Sequence, residues 1–200
     1  MLIKSSVNLY TESNIDYITL KLNYDLVVLC TYGHDHLFTD KSIASVYKYQ
    51  IVEKLLLAND EIDQTTSLVV IDGPFFSIDP YADTGQFLMS HVKHAIHSEN
   101  IGTTPFVPLH LQQHLHAGLR QDIVFPNCSK MMQDAAKFFP VISNSTWKGS
   151  FFVTRCVKSN VEETDERTSS LNFISDKLVT IHSGKLVSCV NIAEELVSKL

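Results

Sequence analysis

Histidine is the residue type in this chain with the most chemical potential, because nine of its 200 residues are histidines. Two groups of three are closely spaced: His91, His94 and His97, and then His110, His114 and His116. The first group recurs at intervals of three, which would place it on one flank of a helix. A zinc site needs three or four such ligands, but no H-E-x-x-H pattern or carboxylate at matching spacing accompanies them. We therefore predict no metal site and interpret these histidines as partly buried or surface side chains.

Glycine is scarce, and its spacing excludes several enzyme classes. There are seven glycines, and the closest two, Gly73 and Gly85, are 12 positions apart. Neither G-x-G-x-x-G, a Walker A loop nor a G-x-S-x-G elbow can be written from such positions. The chain therefore has no self-contained phosphate cradle and little support for serine-hydrolase chemistry, and its catalytic residues stay unassigned.

A turn near the C-terminus has features of an anion site. A helix predicted to open at Ser183-Gly184-Lys185 would present free backbone N–H groups and the positive end of its dipole. Gly184 lets a ligand approach the backbone closely, and Lys185 adds a positive charge. The alternative interpretation is an ordinary helix start with a turn glycine.

Arg155 is the other candidate for binding an anion. It follows Phe151-Phe152-Val153-Thr154, on a segment that is otherwise largely aromatic and apolar. A guanidinium there is costly to bury unless a carboxylate or phosphate meets it. Either Asp165 or Glu163 pairs with it, or it clamps an anionic substrate, and the spacing leaves both open.

The elements that must position these residues are mixed. Alternation or apolar runs predict strands, while capping residues and helical spacing predict helices. The predicted strands are 17–22, 26–29, 67–71, 147–157 and 178–181, with 26–29 covered on both faces and 46–57 interpreted as strand followed by strand or helix. The predicted helices are 86–97 (capped by Asp83 or Thr84), 130–139 (capped by Ser129 and closed by Pro140) and the C-terminal segment to Lys199. Asp72-Gly73-Pro74 predicts a turn, and the acidic run 162–166 a solvated turn. We predict an α/β (α+β) fold with a mixed, largely antiparallel sheet and flanking helices.

Charge and apolar patterning set the expected surroundings. With 16 Lys+Arg against 22 Asp+Glu, the net charge is −6, and no basic run marks a nucleic-acid interface. No apolar stretch approaches the twenty residues of a spanning helix, and the first residues lack a signal-peptide core. Four widely spaced cysteines without a C-x-x-C pair are typical of reduced thiols. We expect a cytoplasmic protein that binds neither membrane nor nucleic acid.

Four segments, taken in order, resemble one enzyme family. They are Tyr24 to Gly33, Asp72 to Pro80, Arg155-Cys156-Val157 with Thr164-Asp165-Glu166-Arg167, and Leu178 to Ser188 running into Ala193-Glu194-Glu195. Together they resemble the C-terminal part of FAD-dependent oxidoreductases of the D-amino-acid oxidase/glycerol-3-phosphate dehydrogenase superfamily. In that family a strand runs into a Gly-Lys turn and a C-terminal helix whose start faces the flavin. The family's N-terminal glycine-rich segment has no counterpart here.

The resemblance implies an organisation, a cofactor and a set of site residues. It implies partial FAD-domain strands in 1–33, a substrate-binding-like domain in 34–176, and the closing strand and helix of the FAD domain in 177–200. It assigns FAD to Thr31, Gly33, Ser183, Gly184, Lys185 and Leu186, and the anionic group of a small substrate to Arg155. Because the glycine-rich segment is missing, FAD would need a separate nucleotide-binding chain or another copy of this one. The alternatives are a non-catalytic α/β binding module derived from such an enzyme and, third, a metal-dependent enzyme built on the histidines.

Overall fold

A computed structural model describes residues 7–11, 23–34, 37, 45–71, 75–124, 126–159 and 169–200. The protein is α+β with largely antiparallel sheets, which confirms the predicted fold class. The chain divides into two compact units: a terminal unit, Met1–Ser45 with Glu163–Leu200, and a central unit, Val46–Glu162. The domain boundaries that the resemblance implies, at 33/34 and 176/177, stay predictions.

The central unit is built on a six-stranded antiparallel sheet. Its strands are β2 (Tyr47–Ala58), β3 (Leu68–Val69), β4 (Phe76–Pro80), β5 (Gln86–His91), β6 (Ile96–Gly102) and β7 (Thr146–Lys158). The strand order is β3-β4-β5-β2-β6, and β7 pairs with β2 along the whole length of that strand. The long strand β7 confirms the strand predicted at 147–157.

Strand β2 lies at the centre because its sequence is apolar on both faces. It pairs with β6 through its first half, with β5 through its last four residues, and with β7 throughout. Nine of its twelve residues are buried, as expected for a strand with neighbours on both edges and cover on both faces. The prediction for 46–57 left a helix open in the second half, and the structure has one uninterrupted strand.

The helix predicted over 86–97 is wrong. This segment is the hairpin of β5 and β6, joined by the turn 92–95. Its side chains at Phe87, Met89 and His91 are buried, while those between them are half-buried, so the period is two. Apolar residues also recur here at helical spacing, and pairing with β4 and β2 favours the strand.

The helices of the central unit are short and pack in two separate hydrophobic clusters. They are α1 (Leu109–Gln112), α2 (Cys128–Ala136) and a 3-10 helix over Pro140–Asn144. The helix predicted at 130–139 is present but displaced: Asn127, not Ser129, holds the N-cap position, and α2 ends at Ala136. Met131 and Ala135 of α2 pack with Leu55, Phe87 and Met89 in the main hydrophobic core.

The terminal unit contains a parallel pair of strands. Its sheet has the order β1 (Val27–Leu29), β9 (Leu178–His182), β8 (Ser170–Ser175), with β1 parallel and β8 antiparallel to β9. Strand β9 confirms the strand predicted at 178–181. Cover on both faces of 26–29 was a wrong prediction, because Val28 is 36% exposed.

The C-terminal helix starts later than predicted. A 3-10 helix over Leu186–Ser188 precedes α3 (Cys189–Ser198), so no helix opens at Ser183. No residue of α3 is buried.

Several predicted features lie outside the described residues. They are the strand at 17–22, the turn Asp72-Gly73-Pro74 and the acidic run 162–166. Across the part of the chain that is described, no helix is both long and apolar enough to cross a membrane. All four cysteines are free thiols.

Candidate functional site

The two segments predicted to bind a cofactor lie side by side at one edge of the terminal sheet. The parallel register aligns Val27 with Leu178 and Leu29 with Thr180, so both strands end in the same direction. Residues 31–33 follow β1, and residues 183–186 follow β9. We call these two segments the carboxyl edge. In sheets with parallel strands, ligands bind outside such strand ends.

The first segment of the carboxyl edge turns sharply. Tyr32 has φ 52° and Gly33 has φ 89°, two successive residues in the left-handed region. The His34 N–H donates to the Thr31 carbonyl at 3.2 Å and closes this turn. The Tyr32 ring stacks on the buried His182 ring, with centroids 5.9 Å apart and planes 10° apart. This stacking joins the first segment to the last residue of β9, directly before the second segment.

The second segment is held by serine side chains. The Gly184 N–H donates to Ser169 Oγ at 3.3 Å, and the Ser188 hydroxyl donates to the Lys185 carbonyl at 2.7 Å. The prediction that this turn offers a free Gly184 amide is therefore wrong. The Lys185 side chain is exposed.

A groove runs beside this segment. It has a volume of about 320 Å³ and is lined by Ser169, Lys185, Val187, Ser188, Asn191, Ile192 and Glu195. The groove combines one cationic side chain, Lys185, with one acidic side chain, Glu195, and the apolar residues Val187 and Ile192.

Arg155 lies in the central unit, half-buried on β7. Its Nε donates to Gln50 Oε1 at 2.7 Å, and Gln50 Nε2 donates to Glu99 Oε2, also at 2.7 Å. Lys48 lies 3.5 Å from the other oxygen of Glu99. The guanidinium is thus held in place by a polar row across β7, β2 and β6, while the predicted partners Asp165 and Glu163 lie outside the described residues.

A buried carboxylate organises the opposite face of the central sheet. Glu53 has no exposed surface, and its Oε1 accepts the Ser150 hydroxyl at 2.5 Å. Its Oε2 accepts the Asn127 N–H at 2.9 Å and lies 2.7 Å from His97 Nε2. With Glu53 as the acceptor of this contact, His97 donates from Nε2. Glu53 therefore connects β2, β6, β7 and the start of α2, near the positive end of that helix.

Two members of the first histidine group, His91 and His94, lie close to a carboxylate that is distant in sequence, whereas His97 contacts Glu53. His94 Nε2 lies 2.6 Å and His91 Nε2 3.8 Å from Asp134 Oδ2, on α2. Asp134 Oδ1 also accepts from the Lys137 ammonium at 2.6 Å. The hydrogen bonds from Lys137 and then His94 lower the Asp134 pKa to about 2. Burial and then the neighbouring His94 lower the His91 pKa.

The same three residues have the composition of a metal site, and their ring nitrogens argue against one. Their ligand atoms lie within 4.8 Å of one another. However, His91 Nδ1 accepts the N–H groups of Lys93 and His94 at 3.1 Å each, so Nε2 of a neutral ring carries the proton. A protonated nitrogen has no lone pair for a metal, and the nearby Lys137 repels a cation. The prediction of no metal stays a prediction, and the chemistry of the donor set supports it.

The second histidine group does not form one site. His110 is exposed, whereas His114 is buried with its ring 6.0 Å from that of Phe152. His116 has φ 55° and lies 3.5 Å through Nε2 from the Thr154 hydroxyl. These positions agree with the interpretation as partly buried or surface side chains.

Sequence reasoning missed Glu53 and Asp134. Glu53 had a usable signal, because it is an acidic residue inside the apolar run of a predicted strand, where a charge needs partners. Asp134 had none, since its approach to His94 depends on how α2 packs on the hairpin.

Comparison with known proteins gives a distant structural similarity and no sequence match. No protein-family model matches the chain, and no curated protein sequence matches it. Among solved structures, the chain is similar to the crystal structure of iminodiacetate oxidase (IdaA) from Chelativorans sp. BNC1, with a TM-score of 0.45 and 9% identity. The similarity covers 80% of this chain and 37% of that one, so the chain spans well under half of that oxidase.

Proposed function

We propose that this chain is an FAD-dependent oxidoreductase-like protein of the amino-acid-oxidase kind, which oxidises a small anionic substrate together with a chain that completes the FAD site. The observation that carries the proposal is the parallel pairing of β1 and β9, which places residues 31–33 and 183–186 at one sheet edge. The resemblance in sequence assigns the flavin to those two segments, which are about 150 residues apart along the chain.

The carboxyl edge fits the ring end of a flavin better than its nucleotide end. Gly33 is buried within its turn, whereas the exposed Lys185 ammonium attracts the charge that a flavin ring gains on reduction. Since the Gly184 N–H is already bonded to Ser169 Oγ, this attraction comes mainly from Lys185 rather than from a free amide. FAD, when bound, accepts the hydride, and the chain binds the ring and orients it. No glycine-rich cradle exists in the sequence for the pyrophosphate.

Exposed apolar surface on the terminal unit supports a covering chain. In the C-terminal segment Val187, Val190 and Val197 are 84%, 59% and 71% exposed. Parallel strands are normally covered on both faces, and Val28 of β1 is partly exposed. A nucleotide-binding chain or a second copy of this one would cover this surface.

Arg155 is the proposed partner of the substrate's carboxylate or phosphate. Its Nε is fixed by Gln50, which orients the planar guanidinium before a ligand arrives. A guanidinium that is already oriented loses less rotamer entropy on binding an anion.

One observation favours the alternative, a binding module that lost its flavin. The Gly184 N–H, which would serve the ring in an intact enzyme, is satisfied within the chain by Ser169. A module of this kind would keep the fold and bind a small anion without redox chemistry.

The visible spectrum of the protein separates the two functions. The proposal predicts the absorption band of oxidised flavin in protein isolated with its partner, or its appearance on adding FAD to that assembly. A colourless assembly that takes up no added FAD would establish the binding module instead.

Two pairs of variants test the site residues. Lys185→Ala should weaken flavin binding, whereas Lys177→Ala, in the turn at the other end of β9, should not. Arg155→Ala should raise KM for an anionic substrate by the equivalent of about 1.5–3 kcal/mol. Lys54→Ala removes an exposed charge from the same sheet face and should leave KM unchanged. Equal effects within either pair would refute the assigned role.

A further inference from the structure

The turn between β5 and β6 is capped by an imidazole in one protonation state. His91 ends β5, its side chain has no exposed surface, and its Nδ1 accepts the N–H groups of Lys93 and His94 at 3.1 Å each. Only a nitrogen with a lone pair can accept, so the single ring proton is on Nε2. The Ala95 N–H donates to the His91 carbonyl at 3.2 Å and completes the turn.

The other side of the ring faces α2. His91 Nε2 is buried without a hydrogen-bond partner, 3.8 Å from Asp134 Oδ2. The His94 ring lies 4.7 Å away between centroids, and its Nε2 is bonded to the same oxygen. The charged or titratable groups facing His91 are therefore Lys93 and His94 from the turn, and Asp134 and Lys137 from α2. The Asp134 carboxylate favours a second proton on His91, whereas the other three groups oppose it.

A second proton would have to bind at Nδ1, where two N–H groups already point. Protonation would turn both attractive contacts into repulsive ones and place a charge where the ring has no access to water. The turn must open before the ring can take up that proton. Opening removes the contact of His91 and His94 with Asp134.

We propose that His91 is a pH-dependent switch of the β5–β6 turn. The neutral ring keeps the turn closed against α2, and the protonated ring favours the open turn. The open turn titrates as an ordinary histidine, near pH 6.5, while the closed turn resists the proton. Linkage then requires the ratio of open to closed turns to rise about tenfold between roughly pH 7.5 and pH 5.5. The proposal is independent of any flavin role, because it concerns only the central unit.

Hydrogen exchange at two backbone amides of the full chain tests the proposed His91 switch. Protection factors of the Lys93 and His94 amides, corrected for intrinsic exchange, should fall about tenfold over that pH range. His91→Asn keeps an acceptor oxygen near the position of Nδ1 but binds no proton, so the turn should stay protected with no pH dependence. His94→Gln keeps a hydrogen-bond donor to Asp134 but does not titrate. In this variant the protection of the amides at positions 93 and 94 should still fall about tenfold over the same pH range.

Four results would each refute the proposed His91 switch. One is wild-type protection that does not change over the range, and another is the same fall in His91→Asn, which would assign the response to another group. The third is a nitrogen NMR spectrum showing the neutral ring protonated on Nδ1. The fourth is stabilisation of the wild type, but not of His91→Asn, by added Zn²⁺, because metal binding requires a lone pair on Nε2.

Discussion

Replacing Glu53 with alanine is the most informative perturbation of the central unit. The variant removes the acceptor of three donors, the Ser150 hydroxyl, the Asn127 N–H and His97 Nε2, at a position with no exposed surface. None of the three can turn to water without moving β7, α2 or β6.

The magnitude follows from the number of donors left without a partner. Each buried unsatisfied donor costs about 1–3 kcal/mol, and partial relaxation keeps the sum below three times that value. With three donors affected, we expect a loss of about 3–5 kcal/mol in the free energy of unfolding. Glu53→Gln keeps the shape and one acceptor oxygen, so its cost should be smaller, about 1–3 kcal/mol.

Trp147 provides the assay. It is the single tryptophan of the chain, and its Nε1 donates to Ser150 Oγ at 3.1 Å, so its fluorescence reports on unfolding of the central unit. Urea unfolding followed at this residue gives the free energy for wild type and variants. The control is Lys54→Ala, which removes an exposed charge at the next position of β2, in the same unit as Trp147, and should cost at most about 0.5 kcal/mol. A loss below about 1 kcal/mol for Glu53→Ala would refute the account of Glu53 as the organising group.

Three further predictions concern the central unit and the cysteines. Gly149 has φ 141°, and a Cβ there would lie 2.8 Å from a backbone carbonyl oxygen, so Gly149→Ala should lower the urea midpoint by the equivalent of about 1–3 kcal/mol; an unchanged midpoint would contradict the close approach. The pKa of Asp134 is lowered to about 2, mainly by Lys137, so its contribution to stability is present above about pH 4 and is lost as the pH falls towards 2. Asp134→Asn should lose less stability than wild type over that acid range, and parallel acid-unfolding curves would be inconsistent with this. Burial raises the Cys128 pKa to about 11, so at mildly alkaline pH iodoacetamide should label exposed Cys189 first, as peptide mass spectrometry would show; faster labelling of Cys128 would contradict it.

Local sequence patterns predicted the strands that are rich in branched and aromatic residues and are bounded by turn residues. Strands β7 and β9 were predicted within a residue or two, because branched and aromatic residues bounded by turn residues favour a strand regardless of context. The segment 86–97 failed because its apolar residues fit both periods. Pairing of β5 with β4 and β2, which the sequence does not display, decided for the strand.

Long-range contacts account for what the sequence could not predict at the candidate site. The segments ending in Gly33 and beginning at Ser183 were identified separately, and their adjacency depends on the pairing of β1 with β9. The Ser169 hydroxyl that occupies the Gly184 amide comes from the start of another strand. The contact between Asp134 and His94, which are 40 residues apart in the sequence, likewise depends on how α2 packs on the β5–β6 hairpin.

Quenching of flavin fluorescence by the purified chain tests the central claim most directly. Because the carboxyl edge receives the ring and the chain has no nucleotide cradle, riboflavin and FAD should bind saturably with affinities within about tenfold of each other. Lys185→Ala should weaken both, and Lys177→Ala neither. No saturable quenching by either flavin, or equal binding by both lysine variants, would contradict a flavin-ring site at the ends of β1 and β9.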